Sequence, residues 1–147
     1  MSTESAISSA ARKTPWHIWV VGIVALLWNA AGTYTIMMAQ AGKLEDLSAD
    51  EAAYYAAQPV WFVVITDVAL LSAVAAAVAL LLRSRTAIWL FAISLAAILI
   101  TDVYDLVSGT SRMLVSSGAM IATIFIFVIA ILELVYAWSM KKHAVLR

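Results

Sequence analysis

The chain contains no cysteine among its 147 residues, which excludes disulfides, thiolate metal sites and a cysteine nucleophile. Charge is scarce as well: Asp, Glu, Lys and Arg make up 12% of the sequence, where a soluble domain carries roughly a quarter. The scarcity is uneven. None of the nine Lys and Arg falls inside a long apolar run, yet four of the nine acidic residues do: Asp67, Asp102, Asp105 and Glu133. The two histidines, His17 and His143, lie near the chain ends. The sequence shows no phosphate loop, nucleophile elbow, histidine metal site or haem attachment motif, so an enzyme is not the expectation and no cofactor or metal is called for. Basic residues occur only in short loops and tails, which removes nucleic acid as a partner.

What is present is apolar: 65% of residues are hydrophobic. A hydrocarbon core of roughly 30 Å needs about 20 apolar helical residues, and stretches of that kind run over about 17–40, 59–82, 86–107 and 114–140. They lack period-two alternation, and "LLSAVAAAVALLL" is rich in the helix formers Ala and Leu. Because lipid offers no partner to an open backbone, the fold class expected is an all-α membrane protein of four transmembrane helices in one domain, 1–147. "MSTESAISSAAR", within the polar segment 1–14, reads as a loosely ordered tail. Ala39 and Ala41 have the spacing of a signal-peptidase site, but the run before them is long and carries Asn29, so span one is taken as retained.

Arg12, Lys13, Arg83, Arg85, Lys141, Lys142 and Arg147 fall on one side of these spans, and only Lys43 and Arg112 on the other. That bias places both termini in the cytoplasm. Aromatic belts agree, with Trp16, Trp19, Trp89, Tyr136 and Trp138 near the inner interface and Tyr34, Trp61 and Tyr104 near the outer one. Between spans one and two, "LSADEAAYYAAQP" gives Ser48 and Glu51 the spacing of a capping box and puts Pro59 at a helix start, which predicts a short outer-surface helix. Its carboxylates Glu45, Asp46, Asp50 and Glu51 read as a solvated face rather than a ligand-collecting one.

A charge in mid-bilayer costs about 2.5–3.5 kcal/mol on insertion scales, and no basic residue inside the spans offsets it. Protonation, a bound cation, a water-filled vestibule or a basic residue from another subunit would. Counting from the interfaces puts Asp67, Asp102 and Asp105 in the outer half and Glu133 in the inner half. Asp67 and Asp102 are open to two roles, hydrogen-bonded helix contact or functional site, and so is Asn29; Asp105 sits close to the interface. The expected ligand or ion pocket is Asn29, Asp67, Asp102 and Asp105. Gly22, Ala25, Asn29 and Gly32 form a stripe of small and polar residues on span one, expected to be buried against protein and to meet the polar face of span three, Ser94, Thr101 and Asp105. Glu133 is expected to bond Tyr136, one turn away, or a partner chain. Ala73/Ala77, Ala92/Ala96 and Gly118/Ala122 have the spacing of close helix contacts.

"WHIWVVGIVALLWNAAGTY", the stretch from Tyr55 to Trp61, "LLLRSRTAIWLF", "TDVYDLVSG" and "VYAWSMKKHAVLR" together cover most of the chain. They resemble an uncharacterised family of small four-span proteobacterial proteins, often automatically labelled "sugar transporter". The resemblance implies a four-span fold in the bacterial inner membrane. The functional expectation is a transport-type protein whose outer-facing acidic pocket takes a proton, a cation or a small polar solute. Four helices enclose little, so a homo-oligomer or a larger membrane complex is expected. The alternative is an accessory or scaffold subunit of a larger membrane complex, its intramembrane acids pairing with a partner chain.

Overall fold

The computed structural model describes residues 15–110, 112, 119–143 and 145–146. Five helices follow in order: α1 His17–Gln40, α2 Ala49–Ala57, α3 Val60–Leu81, α4 Thr86–Ser108 and α5 Ala119–Lys142. Four of them, all but α2, are long and apolar enough to cross a membrane, and the described residues contain no strand. The expected spans therefore stand, except that the proposed start of the fourth at 114 lies outside the described residues, as do the polar segment 1–14, Arg147 and Gly118.

Local chemistry sets the ends. Ser48 caps α2 by accepting from the Glu51 backbone N–H at 3.3 Å, while the Glu51 carboxylate accepts from the Ser48 N–H at 2.9 Å. This is the reciprocal capping box read from the sequence. Pro59 then opens α3 from an extended conformation. At the other end of α3 the Ser84 N–H reaches the Ala79 carbonyl and the Arg83 N–H the Leu80 carbonyl, a Schellman closure that puts Arg83 at φ 59°. An L-residue there costs roughly 1–2 kcal/mol. The Arg83 side chain is engaged in return, donating from Nε to the Val145 carbonyl at 3.4 Å.

Helix α3 is the centre of the bundle: α1 packs on one side of it and α4 on the other, and α5 packs on α4. Lipid tails are as apolar as leucine, so helices associate where small residues let backbones approach and dispersion contacts accumulate. The α3 and α4 faces meet that condition. Ala69, Ser72, Ala73, Ala76, Ala77 and Leu80 are buried on α3, and Ala87, Phe91, Ser94, Ala97 and Thr101 on α4. Ala73 and Ala77 are thus a helix contact as expected, whereas Ala92 is half-buried and Ala96 and Ala122 face outward.

The small stripe of α1 does not meet the polar face of α4: Gly22 turns toward α3 and Asn29 toward α5. Gly22 and Ala25 are buried, and a Cβ on Gly22 would lie 2.5 Å from Leu81 Cδ2. Asn29 is half-buried, and Gly32 is exposed with open space where a Cβ would stand. The expectation that Gly32 is buried against protein is corrected on that ground: above Asn29 the inward face shifts to Thr33.

Beyond α5 the chain folds back beneath the bundle. The Val145 N–H bonds the Met140 carbonyl, and Leu146, 1% exposed, joins Ile18, Leu80, Ala87 and Phe91 in the core. Arg85 Nε donates to the Leu146 carbonyl at 3.4 Å. The two arginines of the α3–α4 turn therefore hold this returning segment by its backbone.

Candidate functional site

The polar groups of the spans separate into three places. At the end that carries α2, the Tyr54 hydroxyl donates to Asp105 Oδ2 at 2.5 Å and the Thr110 hydroxyl donates to Oδ1 at 2.7 Å. Burial pushes the Tyr54 phenol up, and its bond to the Asp105 carboxylate adds to the rise, so Tyr54 keeps the proton it donates. Burial likewise raises Tyr55. Tyr104 packs edge-on against Trp61, ring centroids 4.7 Å apart, and against Phe62 at 5.5 Å. Both oxygens of Asp105 are thus committed to fastening α2 and the start of the next loop onto α4. Asp102, three residues earlier and half-buried, makes no hydrogen bond among the described residues.

The second place is the α2-side half of helices α1 and α3. Thr33 Oγ1, Thr66 Oγ1 and Asp67 Oδ1 are all buried without a hydrogen-bond partner. Three other hydroxyls in the spans bond their own helix: Thr35 donates to the Ala31 carbonyl, Ser72 to Ala69, and Thr101 to Ala97 and Ile98. Thr33 and Thr66 do not. Counting from the Gly22–Leu81 contact, Thr33 lies eleven residues along α1 and Asp67 fourteen along α3, about 16 and 21 Å, so the two are within about one helical turn in depth. An unsatisfied polar atom costs several kcal/mol in hydrocarbon, and three of the five buried side-chain atoms without a partner among the described residues are these, the others being Gln40 Nε2 and Gln58 Oε1 at helix ends.

The third place is the seam between α1 and α5, where side chains bridge the two helices. Asn29 Nδ2 donates to Glu133 Oε1 and to the Ala25 carbonyl, each at 2.8 Å. His17 Nδ1 and the Tyr136 hydroxyl lie 2.7 Å apart, their rings edge to face. Trp28 stands edge-on to Phe125 at 6.0 Å. Between these bridges runs an apolar groove of about 710 Å³ with Glu133 among its lining residues.

The four residues expected in one pocket are therefore divided. Asn29 goes to Glu133, Asp105 to Tyr54 and Thr110, Asp67 keeps a buried, unpartnered Oδ1 on α3, and Asp102 stays on α4 beside Asp105. The expected Glu133–Tyr136 bond is replaced by Glu133–Asn29 and His17–Tyr136, because both side chains reach α1 rather than each other along α5. Thr33 and Thr66 carry no signal in the sequence, and His17 is marked there only by its place near a chain end. For His17 and Tyr136 the only signal is coarse: His17 opens α1 and Tyr136 lies in the last third of α5, so both fall toward the ends of the spans nearest the termini. Among the described residues no group of three or more His, Cys, Asp or Glu could hold a metal ion. Comparison with protein-family models, curated proteins and solved structures returned no match to the chain.

Proposed function

We propose that this four-span membrane protein is of the transport type and binds a proton, a cation or a small polar solute at Asp67, in the half of the bundle that carries α2. Following the distribution of basic residues, that half faces outward and both termini lie in the cytoplasm of a bacterium, with the protein in its inner membrane. The observation that carries the proposal is the buried Asp67 Oδ1 with no partner, next in sequence to the buried, unpartnered hydroxyl of Thr66, with that of Thr33 on α1 within about one helical turn in depth. A carboxyl and two unpartnered hydroxyls of this kind accept a proton or a cation, or hydrogen-bond a polar solute. Asn29 and Asp105 belong to other networks instead, and Asp102, on α4, lies nearer the surface. Oligomerisation would close the site from lipid, and membership of the proteobacterial four-span family is part of the same proposal.

The test is thermal stability in detergent across a panel of cations and small polar solutes. A ligand at a hundred times its Kd stabilises by about 2.7 kcal/mol, so it raises the melting temperature of the wild type measurably. Asp67→Asn should abolish that rise. A rise that survives the substitution removes Asp67 from the site. The accessory-subunit reading draws on α5, of which only Ala137 and Met140 are buried among the residues described from 121 to 142. It predicts copurification in a discrete larger complex from native membranes, where the transport reading predicts a homo-oligomer.

A further inference from the structure

The α1/α5 seam has features that the Asp67 site does not use. Its groove, about 710 Å³, falls within the range of small-ligand sites, roughly 300–1,000 Å³. Its walls are Val20, Val24, Trp28, Phe125 and Tyr136, and its one carboxyl is Glu133. Trp28 and Phe125 are both exposed, so the groove opens sideways to the bilayer rather than to water. A molecule reaching it must first dissolve in lipid. Asn29 fixes one oxygen of Glu133 and is itself fixed by the Ala25 carbonyl, while Glu133 Oε2 accepts no hydrogen bond among the described residues. No Lys or Arg within the spans is available to it. Aromatic faces attract a cation through their quadrupoles, most strongly where water is excluded.

We infer that the α1/α5 seam binds a lipophilic organic cation, with its positive centre at Glu133 Oε2 and its apolar groups against Trp28, Phe125 and Tyr136. Each feature selects part of that ligand: lateral opening selects solubility in lipid, the apolar wall selects bulk, and the single acid selects positive charge. The carboxyl at this depth is stabilised by a proton or by the bound cation, so the two exchange, and acidification releases the ligand. The groups facing Glu133 are Asn29 from α1 and, one turn along α5, Tyr136, which His17 engages. Helix α4, which also packs on α5, carries Asp102 and Asp105 only near its C-terminal end.

The experiment measures equilibrium binding of tetraphenylphosphonium to the full chain in lipid nanodiscs, with empty nanodiscs subtracted. Tetraphenylborate, of the same shape and opposite charge, is measured in parallel. Wild-type protein should bind the cation at least about tenfold more tightly than the anion, and binding should fall as the pH is lowered. Glu133→Gln keeps an acceptor for Asn29 and so should hold its melting temperature while losing cation affinity about tenfold or more. Trp28→Ala should weaken the cation several-fold, in line with one aromatic contact. Equal binding of the two ions overturns the inference, as does cation affinity within twofold of wild type in Glu133→Gln.

Discussion

The α3/α4 pair and the α1/α5 pair are held in opposite ways. Between α3 and α4 the contact is built from alanine, with Ala76, Ala77 and Ala87 fully buried, and the turn that joins them is locked by a Schellman closure and two arginines. Between α1 and α5 the residues are large, the backbones stay apart, and two polar side-chain bridges cross a groove. In lipid no hydrophobic force pushes helices together, so the pair with small residues gains close packing and the pair without them relies on hydrogen bonds. Where packing is tight there is no room for a ligand. Where polar groups do the holding, room remains beside them.

The largest break in this contrast is expected inside the hairpin. Ala76→Leu inserts three carbons where nothing is exposed, and overpacking of this kind costs about 1–3 kcal/mol. A melting curve in detergent should show a clear loss; an unchanged curve would mean that α3 is not the packed centre. The next contrast lies along α1 itself. Gly22→Leu must displace Leu81 and should lower stability by a comparable amount, about 1–3 kcal/mol, whereas Gly32→Leu points into open space and should be close to neutral. Equal effects at the two glycines would reverse the assigned face of α1.

Across the seam, Asn29→Ala removes the donor that Glu133 Oε1 accepts from and should cost about 1–2 kcal/mol. Pairing it with Glu133→Ala, which removes the acceptor, in a double-mutant cycle should give a coupling of about 0.6–1.7 kcal/mol, the size found for such bonds within membranes. Purely additive effects would show that the bond does not hold α1 to α5. At the far end, Tyr54→Phe deletes the hydroxyl that fastens α2 to Asp105, a loss of about 1 kcal/mol. It should appear first as faster amide exchange in α2, with the spans little changed.

The smallest effect concerns acid. Bonds from the Ser48 backbone and hydroxyl lower the Glu51 carboxyl below its ordinary value of 4.5. A lowered carboxyl contributes stability that is present above 4.5 and lost as the pH falls through the folded value. Acidification should therefore fray the start of α2 without loosening the α3/α4 hairpin, and Glu51→Gln should flatten that dependence in a helix-resolved exchange experiment.

The sequence by itself determined everything governed by distance along one chain segment. Hydropathy located the spans because lipid demands about 20 apolar residues whatever their neighbours, and Ser48, Glu51 and Pro59 bounded α2 because capping acts within four residues. It also marked Asn29, Asp67, Asp102, Asp105 and Glu133 as needing partners, since a polar group in hydrocarbon is costly in any arrangement. Only the tertiary structure decided which partners they have. A helix apolar on every side has no stripe to separate a protein-facing surface from a lipid-facing one, so rotation and neighbour are set by contacts between distant segments. That is why Gly22 proved buried and Gly32 exposed on one helix, and why Glu133 found Asn29 rather than Tyr136. The burial of Leu146 was hidden for the same reason: two residues of tail carry no periodicity, and their place depends on Arg83 and Arg85 meeting their carbonyls from about sixty positions away.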